Sequence, residues 1–600
     1  MSPDRDGLSV LSCTRFPMNR AEPIDHPPVD RRLWWRFVAM ARPYWSGAER
    51  TRAIGLLALL IVLLLGQTSF NVLFNQQSGE FTSALAAGDA ERFWRAIRHF
   101  SLLLVVAVPL WACYYFVRDT LGLRWRRWLT AHLLGRYLGH RAFYRLTQQS
   151  GAAIDNPDQR IAEDVNSFTG QSLYFLMVLL GALIELVAFT GVLWSISRLL
   201  VAFLIVYAVA GTWITIAVFG RPLIGLNFRQ LRREADFRFG LVRLREHAEP
   251  IAFHEGEREE LGRLRGLFAS LYGNARQVLR WQFGLNLFQY GHSFLTMALP
   301  SIIIADQVLS GEMEVGRAIQ AAGAFSAILG ALTLIVQHFE SLSRFGAGVN
   351  RLHEFSRALD RLEAGGGRSD SRIETLPGRD FALEHVAVMT PQREHLLIRD
   401  LSLTISDGHG LLIEGPSGCG KSSLLRAIAG LWTTGSGRIV RPDGDEVMFL
   451  PQHPYLGTGT LRDELLYPHP ERSLPDEELR ALLREVNLPD LADRVGGLDA
   501  VRDWAKVLST GEQQRLAFAR VQRSRARFVI LDEASSALDA ANEALLYARL
   551  VAAGSTPVSI SHRPALLAYH QQVLRLHGDG GWSLHPARGH RFGEGGADAA

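Results

Sequence analysis

The sequence predicts a helical membrane domain followed by an α/β phosphate-loop domain, and three observations carry that prediction. The N-terminal half holds about six apolar runs, each near the ~20 residues that a bilayer core requires, while charge is dense in the C-terminal half. Residues 411–422 read LLIEGPSGCGKS, a short apolar strand that stops at a glycine-rich loop and leads into helix-forming Leu424, Leu425 and Ala427. Residues 528–533 read FVILDE, an apolar strand that delivers two carboxylates at its C-terminal end, where ligand sites of α/β sheets form. A chain of 600 residues exceeds the usual size of one core, which agrees with two or more domains.

Composition narrows the class. Lys and Arg number 64 against 60 Asp and Glu, a net charge of +4, so the chain lacks a nucleic-acid binder's basic surface and no nucleic-acid partner is expected. The three cysteines, Cys13, Cys113 and Cys419, are far apart, with neither metal-ligand spacing nor a disulfide framework. Cys419 lies inside the glycine-rich loop, which implies the cytosol for that loop.

Taken in order, residues 1–33 are rich in Arg, Asp and Pro, and their apolar stretch at 8–11 is too short for a signal peptide; a disordered cytosolic tail is expected. Trp34, Trp35 and Phe37 begin an amphipathic segment suited either to the membrane surface or to ordinary packing. The membrane domain is expected over 34–363, with spans at 53–75, 100–117, 172–195, 199–220, 283–307 and 318–336. The connecting stretches 118–171 and 221–281 are rich in Arg and helical in period. By the positive-inside rule they lie in the cytosol, as helices that run past the membrane and turn back. Within the spans stand Gln67, Asn71, Glu185, Asn286, Gln289, Tyr290 and His292, a polar set that suits either a wet cavity or hydrogen bonding between helices. Residues 364–372, with their Gly run, form a linker. The α/β domain is expected over 373–588, with strands at 410–413, 447–450, 528–531 and 557–560 between helical segments such as 475–486 and 511–521. Residues 589–600 are Gly/Ala-rich and expected to be a disordered tail.

Each residue type in the loop has a physical task. Gly415, Pro416, Ser417, Gly418, Cys419 and Gly420 make a turn whose backbone N–H groups face a phosphate at a helix N-terminus, where the dipole favours negative charge. Lys421 adds a point charge at the β/γ oxygens, and Ser422, with Ser423 beside it, supplies a hydroxyl to Mg²⁺. Asp532 is placed to hold that Mg²⁺ and Glu533 to polarise the attacking water. Alone, the loop pattern also fits a Gly-rich turn, and the acidic pair also fits a strand end at the surface.

Residues 508–515 (LSTGEQQR), just ahead of an Ala/Arg-rich helix and upstream of the acidic strand, resemble the signature motif of ATP-binding cassette (ABC) proteins. The resemblance implies that Ser509 and Gly511 reach the γ-phosphate of ATP held by a second subunit, so two cassettes are needed. It also implies Gln452 as the Q-loop, 536–539 as the D-loop with Asp539 near the nucleotide, and His562 as the switch histidine. The expected catalytic set is then Glu533, His562 and Gln452, with Ser422, Gln452 and Asp532 as Mg²⁺ ligands and ATP as the cofactor. One position departs from the pattern: Thr390 stands where most cassettes place an aromatic ring on adenine.

The likeness narrows further. Residues 449–456 (FLPQHPYL), 459–463 (GTLRD), Trp504, 156–161 (NPDQRI) and 248–253 (AEPIAF) resemble subfamily D transporters and their bacterial relatives, among them the SbmA/BacA-related carriers fused to an ATPase. The match runs from about residue 32 to residue 570. It implies a six-span exporter-type membrane domain, a half-transporter acting as a membrane-embedded homodimer with two composite ATP sites, and a bacterial inner (plasma) membrane with the ATPase in the cytosol. Segments around 155–164 and 229–238 would include the helices that dock on the cassettes. The bacterial group is linked with uptake of antimicrobial peptides, bleomycin and cobalamin, and the eukaryotic group with long-chain fatty acids or their CoA esters. A hydrophilic compound or peptide is the expected cargo, and an acyl group the alternative. A membrane-anchored ABC ATPase that transports nothing would need one span rather than about six.

Overall fold

The computed structural model describes residues 31–148, 157–364, 372–391, 393–469 and 474–592. These fall into two units, 31–140 with 157–360 and 141–148 with 361–592.

The first unit is built of helices. Helix α1 (Arg31–Ser46) buries Tyr44, whose ring stacks on Trp125 at 5.6 Å, and leaves Trp34 and Trp35 exposed. Helices α2 (Arg50–Ala86) and α3 (Ala90–Leu138) are joined by a short turn in which Asp89 caps α3, accepting the Arg92 N–H at 3.0 Å. Helix α4 (Ala142–Gln148) belongs to the second unit. Helix α5 (Pro157–Gln159) passes through a π-helical turn, Arg160–Asp164, into α6 (Val165–Ile196). Ser197 caps α7 (Arg198–Ile214), and a second π-helical turn, Thr215–Gly220, leads into α8 (Arg221–Glu246). Helices α9 (Ala248–Phe253), α10 (Glu257–Ile303), α11 (Ala305–Leu309), α12 (Val315–Gln337) and α13 (Phe339–Glu363) follow.

Among the described residues five helical runs are long and apolar enough to cross a membrane: Arg50–Ala86, Ala90–Thr147, Pro157–Ile196, Arg198–Glu246 and Val315–Leu332. Only 17–33% of the apolar window of each is buried within the chain, so most of that surface is available to lipid or to another subunit. The expected sixth span, 283–307, does not reach the same standard. It occupies the end of α10, where Asn286, Gln289, His292 and Ser293 dilute the apolar run, and the helix stops at Ile303. Of the two expected docking segments, one falls inside a long helix. Residues 229–238 sit in the middle of α8, and the reversal comes later, at α9, because helical periodicity carries on to Glu246. Of the first segment, 155–156 lie outside the described residues; Arg160 and Asp164 are turned onto α13, where Arg351 Nε donates to Asp164 at 2.9 Å and Arg160 donates to the Arg351 carbonyl at 2.8 Å.

Helices α2 and α12 approach most closely through small residues. The Gly316 N–H donates to Ser83 Oγ at 3.0 Å, Asn75 Nδ2 donates to the Gln320 carbonyl at 3.1 Å, and a Cβ on Gly316 would collide with the Gly79 backbone. Small residues that let backbones touch, with amide side chains across the seam, are how helices associate where water provides no drive.

The second unit begins with β1 (Glu374–Pro377), β2 (Phe381–Met389), β3 (Leu396–Ile405) and β4 (Leu411–Glu414), then α14 (Lys421–Ile428), β5 (Gly435–Arg441) and β6 (Val447–Leu450). A helical section follows: β7 (Thr458–Thr460), α15 (Leu461–Leu466), α16 (Asp476–Glu485), α17 (Leu491–Val495), β8 (Val501–Asp503), α18 (Trp504–Val507) and α19 (Thr510–Ser524). It closes with β9 (Phe528–Asp532), α20 (Ala540–Ala552), β10 (Thr556–Ile560), β11 (Gln572–Leu576) and β12 (Trp582–Pro586). The main sheet has the order β12-β11-β4-β10-β9-β6, and only β12 is antiparallel to its neighbour. The four apolar runs expected to be strands are its adjacent members β4, β10, β9 and β6, the first three buried on both faces as parallel strands are and the edge strand β6 half-buried at its centre. A second sheet, β1-β5-β2-β3, packs Phe381, Leu383, Val386 and Ile398 into the same core as Ile413 and Ile530.

The boundaries differ a little from expectation. Arg31–Leu33 already belong to α1, and residues 1–30 and 365–371 lie outside the described residues. The expected tail from 589 contains, before residues 593–600 fall outside the described part, an ordered turn in which the His590 N–H donates to the Ala587 carbonyl and Phe592 packs on an apolar cluster.

Candidate active site

The sheet register places the acidic strand against the phosphate loop. Ile560 of β10 pairs with Ile413 on one side and Asp532 on the other, so the carboxylates of β9 emerge level with the end of β4, one strand away. Between β4 and α14 the loop folds as the sequence spacing requires. Gly420 has φ +102°, and a Cβ there would stand 3.0 Å from Leu397 Cβ; Gly415 has φ +149°, and a Cβ would stand 2.5 Å from the Leu576 carbonyl oxygen. Both positions therefore need glycine, for conformation and for space. Pro416, Ser417 and Gly418 are exposed at the loop's crest, while Cys419 turns inward into the core. Lys421 is buried, its ammonium donating to the Gly415 carbonyl at 2.7 Å and the Pro416 carbonyl at 2.9 Å, and Ser423 follows Ser422 in the first turn of α14.

Two hydrogen bonds gather the chemistry. Ser422 Oγ donates to Asp532 Oδ1 at 3.2 Å, and Gln452 Nε2 donates to Glu533 Oε2 at 3.1 Å. Burial pushes the Asp532 carboxyl up, with the charge of Glu533 adding to the effect and the Ser422 hydroxyl opposing it. A carboxylate and a hydroxyl at this distance are hard oxygen donors of the kind that Mg²⁺ takes, and a cation there would relieve the cost of burying the charge. The loop's backbone and Lys421 fit a polyphosphate in the same way. Glu533 itself has φ +48°, an unusual conformation for a side chain of its size, held by its N–H donating to the Ile560 carbonyl at 3.2 Å. Such strain costs of order 1–3 kcal/mol and persists where the surroundings fix it.

The signature helix is organised differently. Ser509 and Glu512 form a reciprocal cap at the start of α19: the Glu512 N–H donates to Ser509 Oγ at 3.4 Å and the Ser509 N–H to Glu512 Oε2 at 2.9 Å. Burial would raise the Glu512 carboxyl, but the Ser509 N–H and Arg494, 2.6 Å away, outweigh it and hold the carboxyl below its usual range. Gly511 packs near the Ala537 carbonyl, and Asp539 caps α20 through the Asn542 N–H at 2.7 Å. No hydrogen bond joins Ser509, Gly511, Asp539 or His562 to the phosphate loop or to Glu533 among the described residues. His562 is exposed, two residues past the end of β10.

Sequence reasoning missed two residues that join these parts. Gln514, 2% exposed, donates to the Gln452 carbonyl at 3.2 Å and to Ser536 Oγ at 3.3 Å, and accepts the Ala537 N–H at 3.1 Å. One side chain thus ties the signature helix to the loop bearing Gln452 and to the turn before Asp539. Arg563, next to His562, donates to the Leu538 and Ser536 carbonyls at 3.0 and 2.9 Å and pairs with buried Glu543 at 3.2 Å. The available signal was a Gln on the buried face of an amphipathic helix, where an amide must find partners. Thr390 is spent on its own turn, exchanging hydrogen bonds with His395.

The membrane polar set is only partly gathered. Asn71 Nδ2 donates to Glu185 Oε1 at 3.0 Å, and Tyr207 Oη donates to the His292 carbonyl at 2.7 Å with the two rings stacked at 4.1 Å. Asn286 accepts from Gln282, and Tyr290 is exposed. A cavity of about 710 Å³ in the first unit is lined instead by Ala208, Val209, Thr212, Trp213, Ile216, Ala217 and Leu332.

Residues 41–309 match the family described as ABC transporter transmembrane region 2, and residues 398–536 match the family described as ABC transporter. An uncharacterized ABC transporter ATP-binding protein of Synechocystis is 44% identical over 88% of this chain and 81% of its own length. The chloroplastic ABC transporter D family member 2 of Arabidopsis thaliana is 37% identical over 91% of this chain and 86% of its own. The human lysosomal cobalamin transporter ABCD4 is 32% identical over 93% and 97%. A bacterial Atm1-family ABC exporter with ATP bound shares the fold, with a TM-score of 0.69 at 20% identity, over 89% of this chain and 95% of that one.

Proposed function

Because the chain belongs to the ABC transporters, as a membrane-spanning, ATP-driven transporter related to subfamily D, we propose that it is a half-transporter that works as a homodimer and moves a hydrophilic compound or peptide. The observation that supports this most is the pairing of Ser422 with Asp532 and of Gln452 with Glu533 in the same chain as five spanning helices. In this reading Gly415 to Ser423 cradle the phosphates, Ser422, Gln452 and Asp532 hold Mg²⁺, and Glu533 orients and polarises water, with His562 beside the γ-phosphate. When bound, Mg²⁺ would neutralise charge between the terminal phosphates. Ser509 and Asp539 are exposed and make no hydrogen bond to this chain's own loop among the described residues, and in this reading they and Gly511 meet a second copy's nucleotide.

The homodimer assignment rests on one membrane domain and one cassette per chain and on the mostly unburied apolar spans. ATP would close the cassette pair, and hydrolysis would release it, so that the spans alternate access. A sixth span at 283–307 belongs to the proposal, its polar residues placed away from lipid. The proposal also places the chain in a bacterial inner (plasma) membrane with 373–588 in the cytosol and 34–363 as the membrane domain.

For cargo, the polar Asn71–Glu185 pair and the relative that carries cobalamin support a hydrophilic compound. The apolar cavity beside Trp213 and Leu332 favours the second reading, a long-chain fatty acid or acyl-CoA. Vesicles containing the purified chain decide between them. ATP-dependent movement of cobalamin or a short basic peptide, without movement of acyl-CoA, supports the first. Acyl-CoA movement alone overturns it, and no ATP-dependent movement of any class counts against transport itself.

A further inference from the structure

A carboxylate is buried at the last position of β4, one residue before the phosphate loop, and the hydrolytic geometry makes no use of it. Glu414 is 3% exposed, with Oε1 3.2 Å from Arg575 Nε and 2.9 Å from His590 Nε2. The two partners come from different parts of the chain. Arg575 is its register partner on β11, whereas His590 arrives from the turn after β12. That turn is itself anchored: the Ala587 N–H donates to the Gln571 carbonyl at 2.9 Å, and Ala587 packs with Leu412 and Val573, with Phe592 against the same cluster. His585 also faces His590, its ring 5.7 Å away. A buried carboxylate is tolerated only with its donors in place, so the turn at 587–592 is clamped to the strand that feeds the loop.

The clamp reaches the loop without slack. Gly415 follows Glu414, and its carbonyl accepts Lys421 Nζ. The Leu576 carbonyl, one residue past Arg575, packs so near Gly415 that a Cβ there would be 2.5 Å away. Any shift of Glu414 against β11 therefore moves the first residue of the cradle.

We propose that Glu414, held by Arg575 and by His590 of the C-terminal turn, is a positioning residue for the phosphate loop, so that docking of residues 587–592 sets the affinity for a nucleotide's phosphates. This rests on the ATP site proposed above. None of the three side chains is placed at the reacting atoms, so the effect falls on binding and leaves turnover alone.

The test uses the full-length chain in nanodiscs, with ATPase kinetics and equilibrium binding of a fluorescent ATP analogue. His590→Ala should raise both KM for ATP and Kd about 3- to 10-fold with kcat kept, the range of coupling through one structural link. His590→Gln, which returns an N–H donor, should bring KM back towards that of the unmodified chain. If His590→Ala fails to fold, the isosteric Glu414→Gln must raise KM in the same way. An unchanged KM in either variant overturns the proposal, as does a fall in Tm with KM unmoved. Loss of the ATP site reading looks different: the unmodified chain would bind no analogue, or Lys421→Ala would bind it equally well.

Discussion

In the α/β unit the polar side chains of the site are bonded to one another across elements far apart in sequence, Ser422 to Asp532, Gln452 to Glu533 and Gln514 to two loops at once. In the helical unit most buried hydroxyls bond back to their own helix, Thr68 to Leu64, Thr169 to Val165 and Thr215 to Gly211, and only a few amides reach across. Phosphate and water chemistry tolerates few residue types at few spacings, so the first arrangement is fixed by its task. Helices surrounded by lipid need only shape and satisfied backbones, so the second is fixed by packing. The contrast predicts that polar substitutions in the cassette change chemistry, while those in the bundle change fit.

The largest effect belongs to Glu533→Gln. It should leave ATP bound and slow hydrolysis by about 10²–10⁴-fold, the usual worth of a positioned base. ATPase turnover close to that of the unmodified chain would break the assignment and, with it, the sharper half of the comparison.

Next in size is a pH effect on stability in the cassette. His570 is buried, with Nδ1 2.7 Å from the Leu566 carbonyl and Nε2 2.9 Å from Ser559 Oγ; burial pushes its imidazole down to about 4, against the opposing effect of the Leu566 carbonyl. Between its unfolded value of 6.5 and 4 the unfolded chain binds the extra proton and the folded chain does not. Its contribution is therefore present in full above the unfolded value and is lost as pH falls towards 4, by up to about 3 kcal/mol. Denaturant unfolding across that range should show the loss, and His570→Gln should flatten it; an unaltered slope would remove His570 as the cause.

In the bundle, Gly316→Ala should part α2 and α12, because the added methyl meets the Gly79 backbone and Ser83 Oγ. The expected cost is about 1–3 kcal/mol, as for overpacking elsewhere, read as a lower Tm in nanodiscs. A Tm equal to that of the unmodified chain would mean that the seam is looser than the structure has it.

Smallest on hydrolysis is Glu185→Gln. The new amide oxygen can still accept from Asn71, so expression and basal ATPase activity should hold. If Glu185 lines the cargo route, transport or its pH dependence changes clearly. Transport equal to that of the unmodified chain at every pH leaves the Asn71 contact as packing.

The same contrast explains what could be read from sequence. The loop 415–422, the acidic strand and four of the five parallel strands, all but β11, were legible, because each needs a particular residue at a particular step. Gln514 and Arg563 were not, since their partners are backbone groups of distant turns that only the fold brings near. Neither were β1, β5 and β12, whose exposed or mixed patterns carry little period-2 signal. In the membrane half, apolar length located five spans, while at 283–307 polar residues interrupt the run and the apolar signal is weaker. Helix α8 ran past the expected docking segment because an Arg-rich helix gives no stop signal before His247.

The central claim is that ATP is hydrolysed at sites shared between two copies of the chain. Lys421→Ala removes the loop's charge and Ser509→Arg blocks the signature, so each mutant alone should be inactive. Co-assembled, the heterodimer has one site with an intact loop from one copy and an intact signature from the other. ATPase activity that returns on co-assembly, and stays absent when the mutants are assembled separately and mixed, is the predicted result. A co-assembled dimer as inactive as either parent would contradict the shared-site account.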